Sequence, residues 1–405
     1  MNRLASLTGV ITFTGLALTA QAQDDKSWSI FASLRGFYDD NYVTAPDVPP
    51  PGAAQKRDSY GFSLSPGISY TGDYEQTQLE GSYVYDMRWY EDRTKNSADH
   101  SHDFSAKLSH AFSPRYKITA KESFAIAQES SLLDPTAAPL RSNGTNMRNT
   151  AGLSFEAGLT RLLSTVISYS NTFYDYEQTG PASRSALMDR MEHLASVNLQ
   201  WQALPTTVAL VGYQYGIVDQ TSKDLIAPGT PASSRDSRSH YGYLGVDHFF
   251  TADLSVSLRA GAQFTEFPNA PAGTQDNVAG PYVDFSGKYT ISKGSSIQLG
   301  VKHTRVQTDI IALDQETTTA YGNINYRFTP KITGSVVGQY QTGSFNQGAF
   351  NNQSEQFFIV GVNLAYEINR HLTAEAGYNY DQLTSDLANR DFTRNRVYIG
   401  IKATY

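Results

Sequence analysis

Apolar and polar side chains alternate with a period of two along most of this chain. In 254–265, Leu254, Val256, Leu258, Ala260, Ala262 and Phe264 fall on one side, against Ser255, Ser257, Arg259, Gly261, Gln263 and Thr265. In 393–405, Val397, Ile399, Ile401, Ala403 and Tyr405 oppose Arg394, Arg396, Gly400 and Lys402. Such alternation predicts strands with one apolar face. Eighteen strands can be read, from 28–40 to 393–405, with the fourth over 102–112 and the fifth over 116–128. The gaps between them alternate short and long. Short ones include Ser113-Pro114-Arg115, Thr251-Ala252-Asp253 and Thr329-Pro330-Lys331, preceded by Phe112, Phe250 and Phe328. Pro at such positions presets a turn dihedral. The long gaps are rich in Pro, Asn, Asp, Gly and Ser.

A series of hairpins this long does not fit one sandwich, because open twisted sheets rarely exceed about ten strands before curling or splitting. Two smaller barrels would need a linker near 218–237 and an odd strand count in each. A single ring of eighteen strands leaves an interior too wide for side chains to fill. Short turns at one end and long loops at the other are the pattern of a transmembrane barrel. The expected fold is therefore all-β: a single closed antiparallel transmembrane β-barrel of eighteen strands, or sixteen if one hairpin lies outside the ladder. Its short turns would be periplasmic and its longer loops extracellular.

A mean hydropathy of −0.40 fits this picture, since a barrel strand shows lipid only every second side chain. Residues 1–22 read as a signal peptide, with Arg3, an apolar stretch from Leu4 to Ala20, and Ala20-Gln21-Ala22 for cleavage. The barrel then occupies 23–405. The rival reading of 1–22 is a retained anchor. Cysteine is absent, so an exported chain forgoes disulfides. Twenty-six Tyr and twenty Phe against three Trp suit interfacial girdles. A net charge of −7 with scattered charges argues against nucleic-acid binding.

By parity, the charges on the lumen side are Arg35, Glu80, Asp86, Arg88, Lys107, Lys117, Lys121, Glu156, Arg259, Asp284, Lys288, Lys302, Arg327, Glu375, Arg394, Arg396 and Lys402. Their mixed signs predict weak ionic selectivity. The plainer reading is that each hydrates or cross-links the wall. Glu122 is the exception: it shares a face with Ile118, Ala120, Phe124 and Ile126. A bulge or a subunit contact would account for it, but a misplaced strand is the preferred explanation. The third long loop, about Glu129 to Arg148, carries apolar pieces around Asp134 and Arg141 that would fold inward as a constriction. The alternative is a solvated rim loop. His100 and His102, between Asp99 and Asp103, are placed in the second outer loop, where a hydrated segment is favoured over weak metal binding. Neither a metal nor a cofactor is expected. His110, His193, His248 and His303 are isolated and near lipid-facing parity. No Gly-x-Ser-x-Gly or His-Glu-x-x-His occurs, so an enzyme is disfavoured. Tyr83, Tyr85, Tyr213, Tyr215, Tyr378 and Tyr380 fall mostly on the lipid side, which suits a girdle better than a glycan track.

With its leader, loop asymmetry and closing strand, the chain resembles bacterial outer-membrane porin-like barrels, and most of all the "putative β-barrel porin 2" group. Gly400, five residues before the terminal aromatic Tyr405, looks like the signal read by the barrel insertion machinery. The resemblance implies an outer-membrane location with both termini periplasmic, among lipid and lipopolysaccharide. It implies passive diffusion of small hydrophilic solutes. A homo-oligomer and an envelope polysaccharide stay open as partners. The second reading is a barrel that assists exopolysaccharide export or anchors surface glycan without an open pore. No constriction motif or aromatic sugar slide aligns, so the solute is not named.

Overall fold

The computed structural model describes residues 27–127 and 146–405. The leader and the constriction candidates Asp134 and Arg141 lie outside them. Eighteen long strands form one antiparallel sheet: β1 Trp28–Asp39, β2 Ser59–Asp73, β3 Thr77–Tyr90, β4 Ala98–Ser113, β5 Tyr116–Ala127, β6 Asn146–Gly158, β7 Leu163–Tyr176, β8 Arg190–Leu204, β9 Thr207–Gln220, β10 Ser237–Phe249, β11 Leu254–Glu266, β12 Asn277–Ser292, β13 Ser295–Val306, β14 Asp314–Thr329, β15 Ile332–Asn346, β16 Ser354–Asn369, β17 Leu372–Ser385 and β18 Phe392–Thr404. Each pairs with its chain neighbours, and β18 pairs with β1 to close the ring. The seam runs from Phe31 opposite Thr404 to Asp39 opposite Arg396. Ile30 and Tyr405 exchange backbone hydrogen bonds at its end.

The two faces differ as a wide barrel requires. Ile399 and Leu244 are 71% and 69% exposed on the outward face. Glu375, Asp381 and Arg394 on the inward face are 2–3% exposed. Apolar outside and polar inside is the reverse of a soluble core, and it suits lipid around a hydrated lumen. Aromatic rings gather at the short-turn end, where Phe112, Phe250 and Phe328 each pack edge-on against a ring two residues earlier. The six tyrosines assigned to a girdle share the outward face by register.

Two prolines sit inside strands, each where a ladder lapses. The β2–β3 pairing skips from Leu64/Met87 to Gly67/Val84, around Pro66. The β12–β13 pairing stops at Val283/His303, two residues short of Pro281. Proline has no N–H to donate. Beyond that point the side chain of Gln263 takes over: its Oε1 accepts from Arg305 N at 3.1 Å and Thr304 Oγ1 at 3.0 Å.

Two expectations need correction. The His100–His102 pair is not in a loop, because β4 begins at Ala98. Polar residues fill both faces there, so the period of two is invisible in sequence. Glu122 lies in register opposite Ala106 and Ala151, on the outward face with Phe104 and Leu153. The strand is not misplaced, and no bulge interrupts it near Glu122. Its ladder neighbours are both alanines, which leaves space beside the carboxylate.

Candidate pore and its lid

Every charge assigned to the lumen by parity stands on the polar, inward face by register. Many meet a partner of opposite sign. Arg35 makes a two-pronged contact with Glu375, at 2.7 and 3.1 Å. Arg396 meets Asp381 at 2.6 Å, Lys107 meets Glu80 at 2.7 Å, and Arg88 meets Asp86 at 2.9 Å. Arg394 pairs with Asp39 across the seam, and Arg259 pairs with Asp247. Both signs are therefore interspersed along the described wall, although Lys107 and Lys121 stand directly opposite each other on β4 and β5. Lys117 and Lys288, near the short-turn end, are exposed. Gln263, Thr317 and Gln341, near the long-loop end, are 1–5% exposed. The bore is open below and packed above.

What packs it is a lid of loops that sequence reading did not find. In the β7–β8 loop, Ser183 caps a helical turn, α1 (Arg184–Met188), by accepting from Ala186 N at 3.1 Å. Ala186 and Met188 are 0% and 2% exposed. Met188 reaches a small cavity, about 10 Å³, that Gln341, Glu355 and Phe357 of β15 and β16 also line. Those strands stand nearly opposite β7 and β8 in an eighteen-stranded ring. The loop therefore crosses the lumen.

The β9–β10 loop holds α1 in place. It ends in a 3₁₀ turn, Ala232–Arg235, and Arg235 is fully buried. Its Nη1 donates to Leu187 O and its Nη2 to Thr308 O, each at 2.6 Å. One guanidinium thus ties three loops together. Burial, with Arg190 nearby, pulls its pKa down to about 10. Leu187, Met188, Ile226 and Ala232 form an apolar cluster with Tyr174 and Tyr176 of the wall. A second cluster joins Ile310 and Ala312 to Phe345 and Leu387. Arg390 of the last loop meets Asp309 at 2.9 Å and Glu355 at 3.4 Å. Asp189 closes α1 by accepting from Tyr176 N at 2.7 Å, and burial pushes its carboxyl up to about 6. A weak signal for this lid was in the sequence: Ser183 three residues before Ala186-Leu187-Met188, and the apolar run Ile310-Ile311-Ala312-Leu313 in another loop.

The remaining candidates fall outside the bore. His100 and His102 face outward, with Nδ1 on Tyr85 Oη at 2.7 Å and on Tyr83 Oη at 2.9 Å. Asp99 and Asp103 lie on the opposite face, so the wall divides the proposed ligand set. Among the described residues no group of three or more His, Asp or Glu gathers as a metal site. His110, His193, His248 and His303 each take a hydroxyl of a neighbouring strand at Nδ1. Gly400 lies in the seam: a β-carbon there would stand 2.4 Å from Leu34 O. Tyr405 ends the seam, its ring 5.9 Å from Trp28. Sequence parity also missed the inward tyrosines. Tyr241, Tyr243 and Tyr282 cluster inside with Leu210.

A model of the family described as "Putative beta-barrel porin 2" matches residues 316–405, from β14 to the carboxy terminus. No curated protein matches the chain in sequence. Among solved structures, the chain is similar to OccAB4 of Acinetobacter baumannii, with 12% identity and a TM-score of 0.45 over 94% of this chain and 99% of that one. It is similar to OpdK of Pseudomonas aeruginosa solved with vanillate, with 12% identity and a TM-score of 0.46 over 93% and 99%. It is also similar to OccK2 (OpdF) of Pseudomonas aeruginosa in complex with glucuronate, with 11% identity and a TM-score of 0.45 over 93% and 98%.

Proposed function

We propose that the chain is a porin-type channel of the bacterial outer membrane that lets small hydrophilic solutes diffuse passively. One observation carries this reading: a closed ring of eighteen strands with an apolar exterior and a polar, charged interior. The family match over β14–β18 supports it. Fold and family point to a channel rather than an enzyme. The inward charges from Arg35 to Lys402 line the pore in this reading, and their mixed signs give little preference between cations and anions. Both termini lie at the short-turn, periplasmic end. Gly400 and Tyr405 serve as the insertion signal. The described loops that narrow the bore are β7–β8, β9–β10, β13–β14 and β17–β18. Asp134 and Arg141 remain candidates for a further constriction.

A second reading has its own support in the tightly packed lid: a barrel in polysaccharide export or glycan anchoring, without an open pore. Single-channel recording of refolded protein in a planar bilayer separates the two. Discrete conductance steps with a cation-to-anion permeability ratio near one are expected. A folded barrel that passes no current would reject the open channel and leave the second reading.

A further inference from the structure

The outward face of β6–β9 carries a groove of about 430 Å³, within the ~300–1,000 Å³ range of small-molecule sites. It is apolar. Ala195 lies between walls formed by Phe155, Ile167, Tyr169, Val197 and Tyr213. Its upper end is different in kind. Two residues above Ala195, register sets His193, Ile217 and Arg238 in one row across β8, β9 and β10. One outward position lower on β10 is His240, opposite Tyr215. Strands are ~4.8 Å apart, so His193 and Arg238 stand about 10 Å from each other.

The groove walls orient these side chains. Tyr169 Oη meets His193 Nδ1 at 2.7 Å, and Tyr213 Oη meets His240 Nδ1 at 2.7 Å. The Nε2 of each ring has no partner among the described residues. Arg238 gives Nη2 to Asp219 at 2.8 Å and Nη1 to Ser237 O and Val218 O at 3.0 and 3.3 Å, which pins its guanidinium at this level. His193 and Arg238 lie about 12 residues up their strands, each rising ~2.5 Å along a tilted axis, hence about 30 Å above the turns. That is the level at which a ~25 Å apolar band ends and headgroup phosphates begin.

We propose that this groove seats one acyl chain of a phosphorylated glycolipid of the outer leaflet, with His193, His240 and Arg238 receiving its phosphate. The apolar slot takes the chain, and at headgroup height the two imidazole Nε2 atoms take the anion, which competes with Asp219 for the guanidinium of Arg238. The site belongs to the outer wall and is independent of conduction through the bore.

Native mass spectrometry of the full refolded barrel, exchanged in detergent against bisphosphorylated lipid A, tests this. One retained lipid A per barrel is expected. Ala195→Phe fills the slot, and the double variant His193→Gln/Arg238→Gln strips the cap. Each should lower retention roughly tenfold or more. Both should keep wild-type heat-modifiable migration, and His110→Gln at the other end of the wall should retain lipid normally. No retention by wild type overturns the proposal, as does equal retention by both variants. A dimeric or trimeric mass that Ala195→Phe dissociates would overturn it too and assign the groove to a second copy of the chain.

Discussion

Arg235 decides how firmly the lid is held. It is fully buried, and it donates to two carbonyls, with no ion pair among the described residues. Charge-assisted hydrogen bonds contribute about 1.5–3 kcal/mol each, and an orphaned buried carbonyl costs about as much. Arg235→Ala should therefore loosen the lid by about 3 kcal/mol or more. Arg235→Lys, whose single ammonium cannot span two carbonyls in the same fork, should fall between. Hydrogen exchange at Leu187 and Asp189 reads this directly, and unchanged protection in Arg235→Ala would refute the keystone role. Asp189 adds a pH dependence. Its folded pKa of about 6 lies above the ordinary value, near ~3.9. Between these two values the folded lid binds more protons than an opened one. Lid stability is thus fully present below about pH 4 and declines as pH rises through 6. Protection of the α1 amides, corrected for intrinsic exchange, should be higher at pH 5 than at pH 7. In Asp189→Asn the difference should vanish.

Most strands were legible because they repeat a two-residue period over about a dozen positions and end at a turn with recognisable chemistry. The terminal strand is an example: Val397, Ile399 and Ile401 face out, and Arg394, Arg396 and Lys402 face in. Legibility failed where both faces are polar, as at Ala98–Asp103, and where one outward residue breaks the rule, as at Glu122. Gly400 shows what sequence cannot separate. As a signal residue it would matter only to insertion in the cell. In the seam it has a second role, since a β-carbon there would meet Leu34 O at 2.4 Å and Arg35 Cγ at 2.7 Å. Backbone cannot move aside cheaply, so Gly400→Val should force β18 away from β1 and weaken the Arg394–Asp39 and Arg35–Glu375 pairs that straddle the closure. Refolding in detergent, with no cellular machinery present, isolates this effect. The variant should lose the compact, heat-modifiable form expected of wild type. Normal refolding would leave Gly400 with a signalling role alone.

At the scale of the whole molecule, the barrel and its lid are stabilised by different physics, and this is why only one was foreseen. A ladder is local: each strand pairs with the next, and the pattern is written in consecutive residues. The lid is non-local. Met188 lines one small cavity with residues of β15 and β16 from across the ring, and Arg235 joins carbonyls at 187 and 308. Expectation therefore settled on the third loop, by resemblance to porins whose third loop folds inward, and overlooked the β7–β8 loop. The bore should then respond to lid and wall separately. Replacing Arg184–Met188 by a Gly-Ser stretch of equal length removes Ala186, Leu187 and Met188 from the apolar cluster that anchors the loop, while all eighteen strands keep their registers. Single-channel steps should grow severalfold, because the crossing segment no longer fills the upper lumen. Shortening the third loop by removing 132–143 in the same background should add to the increase only if that loop also enters the bore. Steps unchanged by loss of α1, in a barrel of normal thermal stability, would mean that current bypasses the lid along the β1–β6 side. The selectivity would then rest on Arg35, Arg88, Lys107 and Lys121, and neutralising Lys121 should shift the permeability ratio toward cations.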